Sequence, residues 1–172
     1  HNGEVCENQV FSINTHSSAQ QKIEFFLSLF RGRENVYARR YFSVKTGKSG
    51  YTPVCKNEWQ HGLCDKKEYR CPNCPNRELL PLTAETVKAH LMGRAPLCRD
   101  VIAIYPMLED NTTYLLAVDF DEASWQADVS AFCKCCNEYG LTPAVERSRS
   151  GNGAHVWFFF SEPVPAADAR RM

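Results

Sequence analysis

The run Leu115-Leu116-Ala117-Val118 followed by Asp119-Phe120-Asp121 constrains this chain more than any other stretch. Four apolar residues in succession predict a buried strand. Because side chains alternate along a strand, the two acids leave its end on one face. Paired carboxylates suit a hard divalent cation such as Mg²⁺ or Mn²⁺, which takes one or two acids and fills its other positions with water and substrate phosphates. The chemistry implied is phosphoryl or nucleotidyl transfer. Acids also end strands at the surface for no reason beyond solvation. The pair therefore gains its meaning from a second stretch, Ser148-Arg149-Ser150-Gly151-Asn152-Gly153-Ala154-His155-Val156-Trp157, in which a hydroxyl, a Gly-rich turn and a histidine lead into another strand. On its own, His155 would be read as a satisfied core histidine.

Together these stretches resemble the archaeo-eukaryotic primase superfamily, whose first motif is matched by Asp119 and Asp121 and whose second is matched by Ser150 and His155. The nearer resemblance is to the primase-polymerase domain of TOTE conflict systems. It is carried also by Tyr51-Thr52-Pro53-Val54-Cys55, Asn57-Glu58-Trp59, His90-Leu91-Met92-Gly93, Ile104-Tyr105-Pro106 and Glu146-Arg147-Ser148-Arg149-Ser150-Gly151, and it spans about Ile23 to Met172. The resemblance implies a DNA primase/polymerase-type nucleotidyltransferase, with an α+β primase fold and an RRM-like catalytic half. Asp119 and Asp121 would hold Mg²⁺ or Mn²⁺. Ser150, His155 and the backbone amides of Gly151, Asn152 and Gly153 would hold the triphosphate, since turn N–H groups form an anion nest. Arg147 or Arg149 would add charge. The implied partners are nucleoside triphosphates and a single-stranded DNA or RNA template or primer, with a helicase or nuclease domain fused or encoded nearby.

Length and charge set the outer limits. A chain of 172 residues makes one domain of ordinary size, with room for a small insert. With 20 basic and 20 acidic residues there is no global basic field, so contacts with nucleic acid must come from local patches. No apolar run is long enough to span a bilayer and no secretory leader is evident, so a soluble, cytoplasmic protein without membrane contact is expected. Nine cysteines, an odd number clustered around a CxxC, fit reduced thiols better than a secreted disulfide scaffold.

Residues 1–16 are polar and aperiodic and are expected to form a loose leader, with the catalytic domain over 17–172. Ser18-Ala19-Gln20-Gln21 predicts a capping box, Ile23, Phe26, Leu27 and Phe30 an apolar stripe, and Gly32 a helix stop. Val36 to Val44 reads as a strand on which Arg39 and Arg40 alternate with Tyr37 and Tyr41. Such strands are either charge-guarded edges or nucleic-acid contacts, and the resemblance favours template or nucleotide contact for Arg39 or Arg40. Gly47-Lys48-Ser49 is not a phosphate-binding loop, because Phe42 stands where the earlier glycine belongs. It reads as a flexible loop.

Cys55, Cys64, Cys71 and Cys74 predict a structural Zn²⁺ site in an insert at about residues 52–80, because soft thiolates with a CxxC knuckle suit a closed tetrahedral site. His61 is a candidate substitute for one of them. The surrounding Lys56, Asn57, Asp65, Lys66, Lys67 and Arg70 form no core without such a staple. Its expected job is to rigidify a basic excursion that touches DNA or RNA. Cys133, Cys135 and Cys136 fall in a helix from about Ser124 to Tyr139, whose Val129, Phe132, Cys133 and Cys136 share a face, so they read as core.

Thr83 predicts a helix cap and Gly93 its end, with His90 packed or at the surface. Val101–Met107 and Thr113–Asp119 are expected to form a hairpin across Glu109-Asp110-Asn111, and Pro143–Ser150 another with Ala154–Phe160. In the second, His155, Trp157 and Phe159 lie on one face and Val156, Phe158 and Phe160 on the other, both expected to be buried. Pro163 and Pro165 should break the strand before a helix at Ala166–Met172. The fold class is therefore α+β, helices packed on a mixed or antiparallel sheet with a zinc-binding insert.

The resembled superfamily carries a third motif, an apolar residue and an Asp on a later strand, which would fall beyond Met172. Two expectations follow: the chain is the N-terminal portion of a longer protein, truncated at its C-terminus, or Glu146 or another acid stands in. Two further readings use the same residues differently. One is a noncatalytic zinc-containing nucleic-acid binding module with Asp119 and Asp121 as surface acids. The other is a different metal-dependent phosphotransferase or nuclease.

Overall fold

The computed structural model describes residues 13–172, so most of the expected leader lies outside the described residues. Helix α1 (Ala19–Leu29) starts on a complete capping box, in which the Ser18 hydroxyl accepts from the Gln21 amide and the Gln21 carboxamide oxygen accepts from the Ser18 amide. The helix buries Ile23 and ends at Leu29, before Gly32. Gly32 has a different role from the helix stop expected of it. Its backbone lies against the Tyr105 carbonyl with no room for a Cβ, and the next amide, of Arg33, donates to that carbonyl at 2.9 Å.

Strand β1 (Ala38–Phe42) pairs antiparallel with β2 (Ser49–Pro53) and with β3 (Ile102–Ala103). The Gly47-Lys48 loop closes the β1–β2 hairpin, with the Ser43 amide donating to the Lys48 carbonyl at 2.8 Å and Gly47 left-handed at φ +68°. The pairing of β3 departs from expectation. The chain reverses at Glu109-Asp110-Asn111, where Asn111 takes φ +64°, but beyond the single bridge Met107–Thr113 the two arms part into different sheets. Pro106 has no N–H to give to a ladder, and the Tyr105 carbonyl is already taken by Arg33. Helix α2 (Ala84–Met92) follows its predicted bounds, capped by the Thr83 hydroxyl and ended by Gly93 at φ +58°. It packs on α1, with the His90 ring 5.7 Å from that of Phe26. Burial there holds the His90 imidazole below its ordinary pKa, the mark of a packing residue.

The second sheet contains β4 (Thr112–Phe120), β5 (Ala144–Arg147) and β6 (Ala154–Pro165), ordered β4-β6-β5 and antiparallel throughout. The fold is thus α+β with two small antiparallel sheets in place of one larger one. Helix α3 (Trp125–Glu138) covers one face, where Val129 and Cys136 meet Ala154, Val156 and Phe158 in the main core. Cys133 packs there too, and Cys135 is exposed. On the opposite face His155, Trp157 and Phe159 are only half-buried, against the expectation of full burial; Phe30, the residue that caps α1, sets its ring edge-on to Trp157 and Phe159 at 5.3 and 5.6 Å.

Strand β6 runs through Pro163 to Pro165, where a break was expected, before the short helix α4 (Ala166–Ala169). Its pairing with β4 explains this. Leu115 is opposite Phe159 and Thr113 opposite Val164, so Tyr114 alone faces the four residues from Phe160 to Pro163. Pro163 falls inside this bulge, where no ladder donor is required. The carbonyls the bulge leaves without partners are taken by Arg31, whose guanidinium donates to Phe160 O at 2.7 Å and Ser161 O at 3.2 Å while lying 3.7 Å over the Tyr114 ring.

Removing those donors leaves carbonyls of the bulge unpaired. Arg31→Ala is expected to lose about 2 to 3 kcal/mol of stability in urea unfolding, the scale of charge-assisted hydrogen bonds. Arg31→Lys should recover only part of it, because one ammonium cannot reproduce the planar fork. An unchanged urea midpoint for Arg31→Ala would show that the bulge holds itself.

Candidate active site at the β4 and β6 strand ends

The register of the second sheet puts Asp119 of β4 directly opposite His155 of β6, and His155 directly opposite Glu146 of β5. An imidazole thus sits between two carboxylates. His155 Nε2 is 3.5 Å from Asp119 Oδ1 and Nδ1 is 3.4 Å from Glu146 Oε2. Glu146 Oε2 also accepts from the Trp157 indole N–H at 3.0 Å, which fixes the carboxylate from a second direction. The side chains of Asp119, His155 and Glu146 are 66, 37 and 57% exposed. Contacts this open and this long add little to stability. The row is instead accessible to a ligand.

Asp121 is exposed and is the first residue past β4. Against it lies the turn from β5 to β6, closed by the Ser148 amide on the Gly153 carbonyl and the Gly151 amide on the Ser148 carbonyl, each 2.9 Å, with Gly151 at φ +78°. The Ser150 hydroxyl accepts from the Asn152 amide at 3.2 Å and lies 3.1 Å from the Ser148 hydroxyl. Two of the three amides expected to bind phosphate, those of Gly151 and Asn152, are therefore engaged inside the turn. Arg147 is engaged as well, its Nε and Nη2 donating to Gly151 O at 3.1 and 2.9 Å, whereas Arg149 is exposed. At Gly153 the turn presses on β4: a Cβ there would stand 2.5 Å from Phe120 O and 3.3 Å from Asp121 Cα. Asp119, Asp121, Glu146, the turn and His155 thus share one end of one sheet.

Glu146 was expected only as a stand-in acid, and its place beside His155 and Trp157 is the larger finding. The signal for it is present in the chain. Counting outward from the Gly-rich turn in an antiparallel hairpin pairs Arg147 with Ala154 and Glu146 with His155. Arg39 and Arg40 lie in the other sheet, on β1. Arg39 is exposed, and Arg40 donates to the Leu97 carbonyl.

The cysteine block leaves the first sheet and returns to it. At its base the Lys56 amide donates to Glu78 O at 2.8 Å and the Leu80 amide to Val54 O at 3.1 Å. Cys55, Cys64, Cys71 and Cys74 line a single cavity of about 120 Å³, all four as free thiols, and the Glu78 amide donates to Cys55 Sγ at 3.4 Å. His61 is exposed and does not line it. As the side chains stand, no group of three or more His, Cys, Asp or Glu among the described residues forms a ready metal cage, either here or at the strand ends. In α3, burial raises the Cys136 thiol above its ordinary pKa, which keeps it protonated and suits packing.

A family described as TOTE conflict system, Archaeo-Eukaryotic Primase domain, matches residues 21–172. No curated protein matches the chain. No helix among the described residues is long and apolar enough to cross a membrane.

The close approach at Gly153 makes the site sensitive to one methyl group. Gly153→Ala is expected to push the turn away from Phe120 and Asp121, costing about 1 to 3 kcal/mol as overpacking does. Its backbone amide shifts should spread across the β5–β6 turn and residues 119–122. Shifts confined to position 153 with an unchanged urea midpoint would contradict the packing described.

Proposed function

The chain belongs to the TOTE conflict system archaeo-eukaryotic primase family, and from that premise we propose that it is a primase-polymerase, joining nucleotides on a single-stranded template. The reaction forms a bond between a 3′-hydroxyl oxygen and the α-phosphorus of a nucleoside triphosphate while the bond to pyrophosphate breaks. The observation that supports this is the row Asp119–His155–Glu146, set beside Asp121 and the Gly-rich turn at one open sheet end.

Each residue takes a role from its surroundings. Asp119 and Asp121 are exposed carboxylates near a strand end, a donor set that fits a hard cation keeping water and phosphate oxygens as its other ligands. Mg²⁺ or Mn²⁺ bound there would supply charge neutralisation for the departing pyrophosphate. His155 turns its Nε2 toward Asp119, where it can donate to a phosphate oxygen, and Glu146 orients the ring from the other nitrogen. The Ser150 hydroxyl and the exposed Arg149 guanidinium add a donor and a charge on the turn side. Arg147 holds the turn closed and acts on the triphosphate through the turn's shape. In this reading Glu146 is occupied by His155 and Trp157, so it is a positioning residue and not the third metal acid.

The cysteine block is read as a structural Zn²⁺ site. Four unoxidised thiols around one small cavity, one of them already accepting a backbone N–H, match the donor chemistry of a closed tetrahedral site.

Changing Asp119 and Asp121 together to Ala is expected to abolish Mn²⁺-dependent nucleoside triphosphate binding, measured by calorimetry, with the circular dichroism melt unchanged, since both acids are solvated. His155→Ala should weaken triphosphate binding about tenfold or more, on the scale of one lost charge-assisted phosphate contact, and leave template binding alone. Nucleotide affinity indifferent to the double change would favour a noncatalytic binding module. Degradation instead of extension of a labelled strand would favour a nuclease.

For the cysteine block, Cys71→Ser or Cys74→Ser is expected to release about one zinc ion per chain and to lower the melting temperature, because structural zinc affinity is coupled to folding. Elemental analysis finding no zinc in the purified protein would refute this part.

A further inference from the structure

A second concave surface lies away from the strand ends, between β1, the cysteine block and the turn after α2. It is a groove of about 680 Å³, and Arg39, Tyr41, Glu58, Trp59, Lys66 and Arg99 are among its lining residues. Its cations come from three separate segments. Arg39 projects from β1, Lys66 from the cysteine block, and Arg99 from a turn in which Leu97 and Cys98 both adopt left-handed φ, +59° and +52°. Such a turn persists only where its surroundings hold it. Arg40 does so, taking the Leu97 carbonyl with its guanidinium and the Val101 carbonyl with its amide, and the Asp100 carboxylate accepts from the Ala95 amide at 2.7 Å. The groove's one acid, Glu58, is neutralised by Lys66 at 2.6 Å. Among the described residues, Arg39 and Arg99 form no ion pair.

The aromatic lining is as telling as the charge. Trp59 is 76% exposed and sits at φ +65°, a conformation bulky residues rarely adopt, with the Lys66 ammonium 3.8 Å from its ring centroid. Tyr41 is 46% exposed on the same groove. Large rings left in water cost solvation free energy, and the flanking cations would favour an anionic occupant. Formal charge over the whole chain is zero, so this concentration of unpaired guanidinium groups is local.

We propose that this groove binds single-stranded nucleic acid, with Trp59 stacking on a base and Arg39 and Arg99 contacting flanking phosphates. Rings plus cations along a groove suit a strand whose bases are unstacked, because a duplex offers no free base face to an indole. An acidic peptide would satisfy the cations and leave the indole unused. The proposal rests on the template reading above and gives the template a path, over β1 and beneath the cysteine block.

The test is fluorescence anisotropy with a labelled single-stranded oligothymidylate, a duplex of equal length and a polyglutamate competitor, over a salt series. Trp59→Ala is expected to weaken single-strand binding about tenfold or more. Trp59→Phe should keep most of the affinity, which separates stacking from damage to the block. Arg39→Ala with Arg99→Ala should lower the slope of log affinity against log salt by about 1.4, two phosphate contacts at roughly 0.7 each. Mn²⁺-dependent nucleoside triphosphate binding should be unaltered in all three. Single-strand binding that survives both Trp59→Ala and the double arginine change would overturn the groove and leave the primase reading intact. Equal preference for duplex, or equal competition by polyglutamate, would overturn it likewise. A wild-type chain that binds neither strand nor triphosphate would overturn both.

Discussion

The pairing register of β4 with β6 is the constraint from which the rest of the second half follows. Side chains alternate with a period of two, so a slip of one residue would send Asp119 toward α3 and bring Val118 to the open face. The sequence prevents this by packing Leu116, Val118 and Phe120 of β4 onto the core of Val129, Cys136, Ala154, Val156 and Phe158. A misregistered β4 would set a carboxylate against that core, and a buried unpaired charge costs several kcal/mol. Apolar packing on one face therefore sets the chemistry on the other. The acids and the imidazole contribute little to stability where they stand, and they owe their alignment to residues on the opposite face of the sheet.

The end of α1 joins this sheet to the first one through three consecutive residues. Phe30 lays its ring against Trp157 and Phe159, Arg31 satisfies the carbonyls of the β6 bulge, and Gly32 lets the chain pass against the Tyr105 backbone. The indole of Trp157 is thus held on its ring by Phe30 and at its N–H by Glu146. Through Glu146 that support reaches His155. A helix whose capping and apolar stripe look purely structural consequently bears on the orientation of an imidazole at the site.

What could be read from the chain divides along a physical line. Features set by neighbours in sequence were legible: the capping box at Ser18, the cap and stop of α2 at Thr83 and Gly93, the face of α3, and the β5–β6 hairpin about Gly151-Asn152-Gly153. Features set by distant partners were not. Pro106 hints that the β3 arm cannot continue a ladder, but that this arm pairs with β1 while Arg33 takes the Tyr105 carbonyl is set by partners far away in the chain. Pro163 reads as a strand break until Tyr114 is seen to face four residues across the bulge. Strand β2 is short and contains both glycine and proline, so neither alternation nor propensity marks it. At the site, Asp119, Asp121, Ser150 and His155 announce themselves by spacing and by family resemblance. Trp59 lies in a segment that carries the resemblance, yet neither it nor Arg99 shows a groove role in the sequence, because the groove forms from segments far apart in the chain.

The strand order carries a consequence for how the site comes into being. β6 is the last strand of its sheet in the chain, yet it occupies the centre, and all of α3 and β5 lie between Asp119 and His155. Hairpin β5–β6 can close locally around its turn, but the acid from β4 can arrive only after a long loop is ordered, and loop closure entropy opposes that step until α3 supplies an apolar surface to settle on. The hairpin contact between Glu146 and His155 can therefore form while the β4 edge is still open. Glu146 is thus set beside His155 by a local hairpin turn, whereas Asp119 joins the row only through the long-range pairing of β4 with β6.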